Sequence, residues 1–113
     1  MTVKDFWALT EDIGWGTKTT NYNQVRKYLR QHCNEAEIRR MNNIRADLVH
    51  ALYEPCFNKV TLGDDSYDDL LNHIVGLGKA EYKAVLADPE LAAARANKDD
   101  FEESFSYCFH GEE

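Results

Sequence analysis

Apolar residues recur along this chain at spacings of three and four, and breaks in that rhythm divide it into helices. Thr2-Val3-Lys4-Asp5 has the form of a capping box, and Val3, Phe6, Trp7, Thr10 and Ile13 follow as one stripe. Gly14-Trp15-Gly16 stops that helix, and Thr17 to Asn23 is polar and loop-like. Asn23 is the expected cap of a second helix, with Val25, Tyr28, Leu29 and Cys33 inward and Arg26, Lys27 and Arg30 in water. Asn34 and Glu37 bracket another capping-box start, for the longest helix, from Glu35 to Tyr53. Its stripe is Ile38, Met41, Leu48 and Leu52, with Ile44 and Val49 on the shoulders. Pro55 is expected to end it. Cys56 to Leu62 reads as a connection, because a lone short strand there has nothing to pair with.

The stretch from Leu62 to Ala96 has the sharpest punctuation. Gly63 breaks the chain, Asp64 or Asp65 serves as N-cap, and Asp68 and Asp69 follow early in the helix, where negative charge suits its dipole. Tyr67, Leu70, Leu71, Ile74, Leu77 and Gly78 form the next stripe, Gly78 standing where a left-handed residue closes a helix. A helix from about Lys79 is expected to bury Tyr82, Val85 and Leu86. Asp88-Pro89 ends it and starts a short Ala-rich one over Leu91 to Ala96. After a turn at Asn97 to Asp100, Phe101, Ser104, Phe105 and Cys108 make a last stripe with Phe109 beside it. His110-Gly111-Glu112-Glu113 reads as a frayed tail. The sum is an all-α fold, one helical domain over residues 1–113. It is a compact bundle of about six helices around Phe6, Trp7, Leu29, Met41, Leu48, Leu70, Ile74, Leu86 and Phe105.

The central stretch also resembles the bacterial domain-of-unknown-function 4240 family. The matching positions are Asp64, Asp65, Tyr67, Leu70, Gly78, Tyr82, Leu86, Asp88, Pro89 and Leu91, with Phe6, Trp7 and Leu9 resembling the opening of those domains. The family's Trp- and Gly-rich approach to the Asp pair has no clear counterpart here. The resemblance implies a helical fold, a bacterial source and no established activity.

Charge changes the picture more than composition does. Residues 1–62 carry nine Lys/Arg and seven Asp/Glu, a net of +2, whereas residues 63–113 carry four and thirteen, a net of −9. An acidic half argues against nucleic acid as a partner of that half and suits a basic protein. The plain alternative is a solvated surface that aids solubility. No apolar run approaches the length of a membrane span, and the first residues lack the pattern of a secretory signal. Cys33, Cys56 and Cys108 are an odd number, which with no signal suggests a reducing cytoplasm.

Candidate chemistry is sparse. There is no nucleophile elbow, P-loop or dinucleotide fingerprint, so no catalytic residue and no cofactor is assigned. Asp65, Asp69 and His73 stand four apart, on the helix face opposite the apolar stripe, and can be read as metal ligands or as helix-start acids with an Asp69–His73 pair. No second carboxylate–histidine element supports a metal, and the helix-start reading is adopted. Trp15, between two glycines, is either a plug on the core or a stacking surface; burial favours the plug. Arg45 lies inside an apolar stripe, either snorkelling or holding an anion. Two functions follow. The first is a non-enzymatic interaction module that uses Asp64, Asp65, Asp68 and Asp69 against a basic protein, in one version an immunity-like protein that covers a basic toxin. The alternative is a small-molecule-binding domain or enzyme with a cleft formed by Trp15, Tyr22 and Arg45.

Overall fold

A computed structural model describes residues 1–109, and the expected tail at His110 to Glu113 lies outside them. The described chain is all-α: α1 Val3–Ile13, α2 Tyr22–His32, α3 Glu35–Phe57, α4 Asp64–Gly76, α5 Lys79–Ala87, α6 Glu90–Lys98 and a closing 3-10 helix, Phe105–Phe109. Among the described residues there is no strand, only a single bridge between Trp15 and Thr19.

The polar punctuation places these elements. Thr2 and Asp5 exchange both bonds of a capping box, as do Asn34 and Glu37. Gly14 closes α1 at φ 66°, a left-handed position that glycine adopts without the Cβ penalty. Several boundaries differ from expectation, and at α6 Pro89, not Asp88, takes the cap position. The Asn21 side chain, not that of Asn23, caps α2 by accepting from the backbone N–H of Asn23 and Gln24. Asp64 and Asp65 lie inside the first turn of α4, with Gly63 in the cap position, so they act through charge and not as caps. The 23-residue α3 runs through Pro55 to Phe57. A proline so near the end removes one backbone bond from a turn that is about to stop anyway.

The last half of α4 is the centre of the molecule. It packs against α3, α5, α6 and the 3-10 helix, and every residue from Leu70 to Gly76 is buried. Phe6, Met41, Leu52, Leu70, Leu71, Ile74, Val75, Val85 and Phe105 have no exposed surface. Two tyrosines tie α3 to its neighbours through their hydroxyls. Tyr67 donates to the Tyr53 carbonyl, and Tyr82 donates to that of Leu48 at 2.9 Å. Leu86 is 38 % exposed and so is not a core residue; Val85, next to it, takes the inward position. Val3 is likewise exposed, and Leu48 is only partly buried. The final apolar stripe forms the short 3-10 helix, with Phe101 outside it and half-buried.

Candidate interaction site

His73 departs most from the sequence reading. It is 2 % exposed and does not meet Asp69. The indole N–H of Trp15 donates to its Nδ1 at 3.1 Å. Indole can only donate, so Nδ1 holds the lone pair, and the ring proton of neutral imidazole sits on Nε2. That N–H donates to Asp99 Oδ2 at 2.9 Å. Asp99 also accepts from Arg95 at 3.2 Å, and Arg95 forks onto Glu81 at 2.9 and 3.1 Å. Burial pushes the Asp99 carboxyl up, but the bond from His73 and the charge of Arg95 outweigh it and hold the group below its ordinary value.

A histidine–aspartate pair beside a cavity of about 510 Å³ has the look of acid–base machinery. Here both ring nitrogens are occupied, and the one that would accept a substrate proton holds Trp15. The chain Trp15–His73–Asp99–Arg95–Glu81 therefore works as a clasp between the α1–α2 loop and helices α4 to α6. It also takes His73 out of any set with Asp65 and Asp69, correcting the expected exposed face.

The three residues proposed for a ligand cleft do not come together. Each instead seats the 3-10 helix at a different point. Trp15 is 2 % exposed, edge-on to Phe105 with ring centres 5.4 Å apart. Tyr22 meets Tyr107 at 5.3 Å, and the Arg45 guanidinium lies 6.0 Å from the centre of the Phe109 ring. Arg45 also donates to Asn42 at 3.0 Å and to Asn72, and burial lowers its pKa. Where the sequence offered a stacking surface and an anion anchor, the chain supplies its own C-terminal aromatics.

The acidic residues stay at the surface. Asp64, Asp65 and Asp68 are exposed, and none has an ion pair among the described residues. Asp69 is half-buried; burial raises its carboxyl, a bond from Ser104 opposes this, and the charges of Asp68, Asp65 and Glu102 add to the rise. Beside this cluster lies an aromatic patch that sequence reasoning missed. Tyr53 and Phe57, in the last two turns of α3, are 39 % and 52 % exposed, and Leu62 is 38 % exposed. Tyr53 stacks on Phe57 at 5.7 Å, and both meet the edge of Tyr67 in α4, at 5.0 and 5.9 Å. Phe57, Leu62, Asp64 and Tyr67 line one shallow cleft of about 340 Å³. The signal was present in the sequence. Tyr53 and Phe57 are four apart and off the core stripe, but a helix expected to stop at Tyr53 hides that pairing.

Family models, curated proteins and solved structures give no match to this chain.

Proposed function

We propose that this chain is a non-enzymatic protein-interaction module that docks a basic partner on the surface joining the end of α3 to the start of α4. The observation that carries this reading is an exposed aromatic patch, Tyr53, Phe57 and Leu62, whose cleft, lined by Phe57 and Leu62, also takes in Asp64 at the start of a helix that presents Asp65 and Asp68 to solvent. Aromatic rings supply buried area and cation–π partners for arginine, and the carboxylates supply steering and bidentate acceptors. Asp64 and Asp65 suit the dipole of α4, but folding gains nothing from the large aromatic surface that faces water beside them.

In its finer form the module is a bacterial, cytoplasmic, immunity-like protein whose partner is a basic toxin or nuclease. The negative half of the chain and the clasped His73, which has no nitrogen free for catalysis, support that version. Membership of the domain-of-unknown-function 4240 family, resting on the Asp64 to Leu91 punctuation, is part of the same proposal.

The test is capture from the source cytoplasm at low and high salt, using the natural chain, Phe57→Ser, and Asp64→Asn with Asp68→Asn. A basic protein retained at low salt, released by high salt and bound about tenfold more weakly by each variant is the expected result. Retention that ignores both variants, or no salt-sensitive partner at all, defeats the proposal. All three substituted residues are exposed, so melting temperatures should match the natural chain and separate lost binding from lost folding.

A further inference from the structure

A cleft of about 540 Å³ opens between α2, the first half of α3 and the 3-10 helix. It shares none of the residues of the acidic face, and its chemistry is the reverse. Among the described residues, Arg26, Arg30 and Arg39 line it together with one acid, Glu35. That described lining is net positive, on a chain of net charge −7. Concave walls of low dielectric concentrate such a field on whatever enters. Leu29, Ile38 and Phe109 give the same cleft an apolar side, and the volume falls in the range that small-molecule sites occupy.

Arg26 is the second observation. One terminal nitrogen donates to the Tyr107 carbonyl at 2.9 Å, and the guanidinium carbon lies 5.3 Å from the centre of the Tyr22 ring. The side chain is thus held at its head by two contacts. Its Nε is buried and has no hydrogen-bond partner among the described residues. A buried unpaired donor carries a real cost and is rare in natural folds. Holding a guanidinium in place also removes the ordering cost that a ligand would otherwise bear. Asn42, which lines the cleft too, accepts from Arg45 through Oδ1, so its amide nitrogen is the atom left to donate. Cys33 and Cys108 are no nucleophiles here: burial raises both thiols, Cys108 to about 12, and they line the wall as small apolar groups.

From this geometry we infer that the cleft is a binding site for a small organic anion. The oxyanion, a carboxylate or a phosphate, sits on Arg26, Arg39 and the Asn42 amide. The apolar body of the ligand lies on Leu29, Ile38 and Phe109. This site is independent of the docking face.

Calorimetric titration of the full chain with benzoate, phenyl phosphate, inorganic phosphate and benzyl alcohol tests the assignment. Saturable binding of benzoate or phenyl phosphate is expected, and whichever binds tighter identifies the oxyanion. Inorganic phosphate should bind more weakly and benzyl alcohol not at all. Arg39→Gln and Arg26→Lys should each weaken binding about tenfold, the usual scale for one charge-assisted bond. Arg39 is exposed, so its variant keeps the test valid if Arg26→Lys folds poorly. Glu112 and Glu113 follow Phe109 closely in sequence, so the titration is repeated on Glu112→Gln with Glu113→Gln. Binding seen only in that variant supports the site, with the chain's own acids as competitors. Absence of saturable binding in both chains overturns the inference. So does binding that the arginine variants leave unchanged, or equal binding of benzyl alcohol.

Discussion

Trp15 sits between two glycines in a loop, yet it is one of the most buried side chains of the protein. Its role as a plug was legible, because a large aromatic flanked by helix-breaking residues gains most by folding back. Its partner was not, since His73 lies 58 residues away and spacing carries no information over that distance. Trp15→Phe should cost about 1–3 kcal/mol from the buried Nδ1 acceptor left bare, with lost ring area adding to it. Urea unfolding measures this; an unchanged midpoint would mean the clasp contributes nothing. Asp99 gives the clasp a pH dependence. Its folded carboxyl is held below the ordinary value, so its contribution is complete above the unfolded Asp range and disappears as pH falls through the folded value. Asp99→Asn should therefore lower stability near pH 7, and the gap to the natural chain should close in acid. A gap of constant size would show that charge is not what Asp99 supplies.

At the scale of elements, most helix starts were legible to within a residue or two because caps are local chemistry, whereas the end of α3 lay four residues beyond its expected stop. The surroundings of α4 were not. Asn72 and His73 are polar and fall off the apolar stripe, so periodicity places them in water. They are buried because α6 and the 3-10 helix close over that side and bring Asp99, and because α3 brings Arg45. The same closure explains Gly76. A Cβ there would stand 2.7 Å from the Phe105 ring and 2.8 Å from that of Trp15, inside any normal contact. Helix propensity alone predicts that Gly76→Ala stabilises by about 1 kcal/mol. The packing reverses the sign: two fully buried rings must shift, and overpacking of this kind costs about 1–3 kcal/mol. Thermal unfolding distinguishes the two. A higher melting temperature in Gly76→Ala would show that the rings yield easily.

Over the whole molecule, charge is divided between an acidic face on the start of α4 and a basic cleft between α2 and α3. The acidic half was legible by counting. The cleft was not, because Arg26 and Arg30 read as the wet side of α2 and spacing does not join them to Arg39 on another helix. Self-repulsion on the acidic face has a measurable consequence at Asp69. Burial and then the charges of Asp68, Asp65 and Glu102 raise its folded carboxyl, with Ser104 opposing. The unfolded chain therefore loses that proton at lower pH than the folded one, and stability falls as pH rises through the window between the two values. Asp69→Asn keeps an acceptor for Ser104 and abolishes the titration. It should be more stable than the natural chain at pH 7 by about 0.5 kcal/mol, or about 2–4 °C in melting temperature. Below the ordinary Asp range, where both chains are neutral at this position, the two should melt together. If the acidic face docks a basic partner, the same substitution should weaken capture at low salt while it strengthens the fold. Gain of stability with loss of binding would mean that the crowding of carboxylates serves the partner, whereas a destabilised Asp69→Asn would mean that the ionised carboxylate serves the fold.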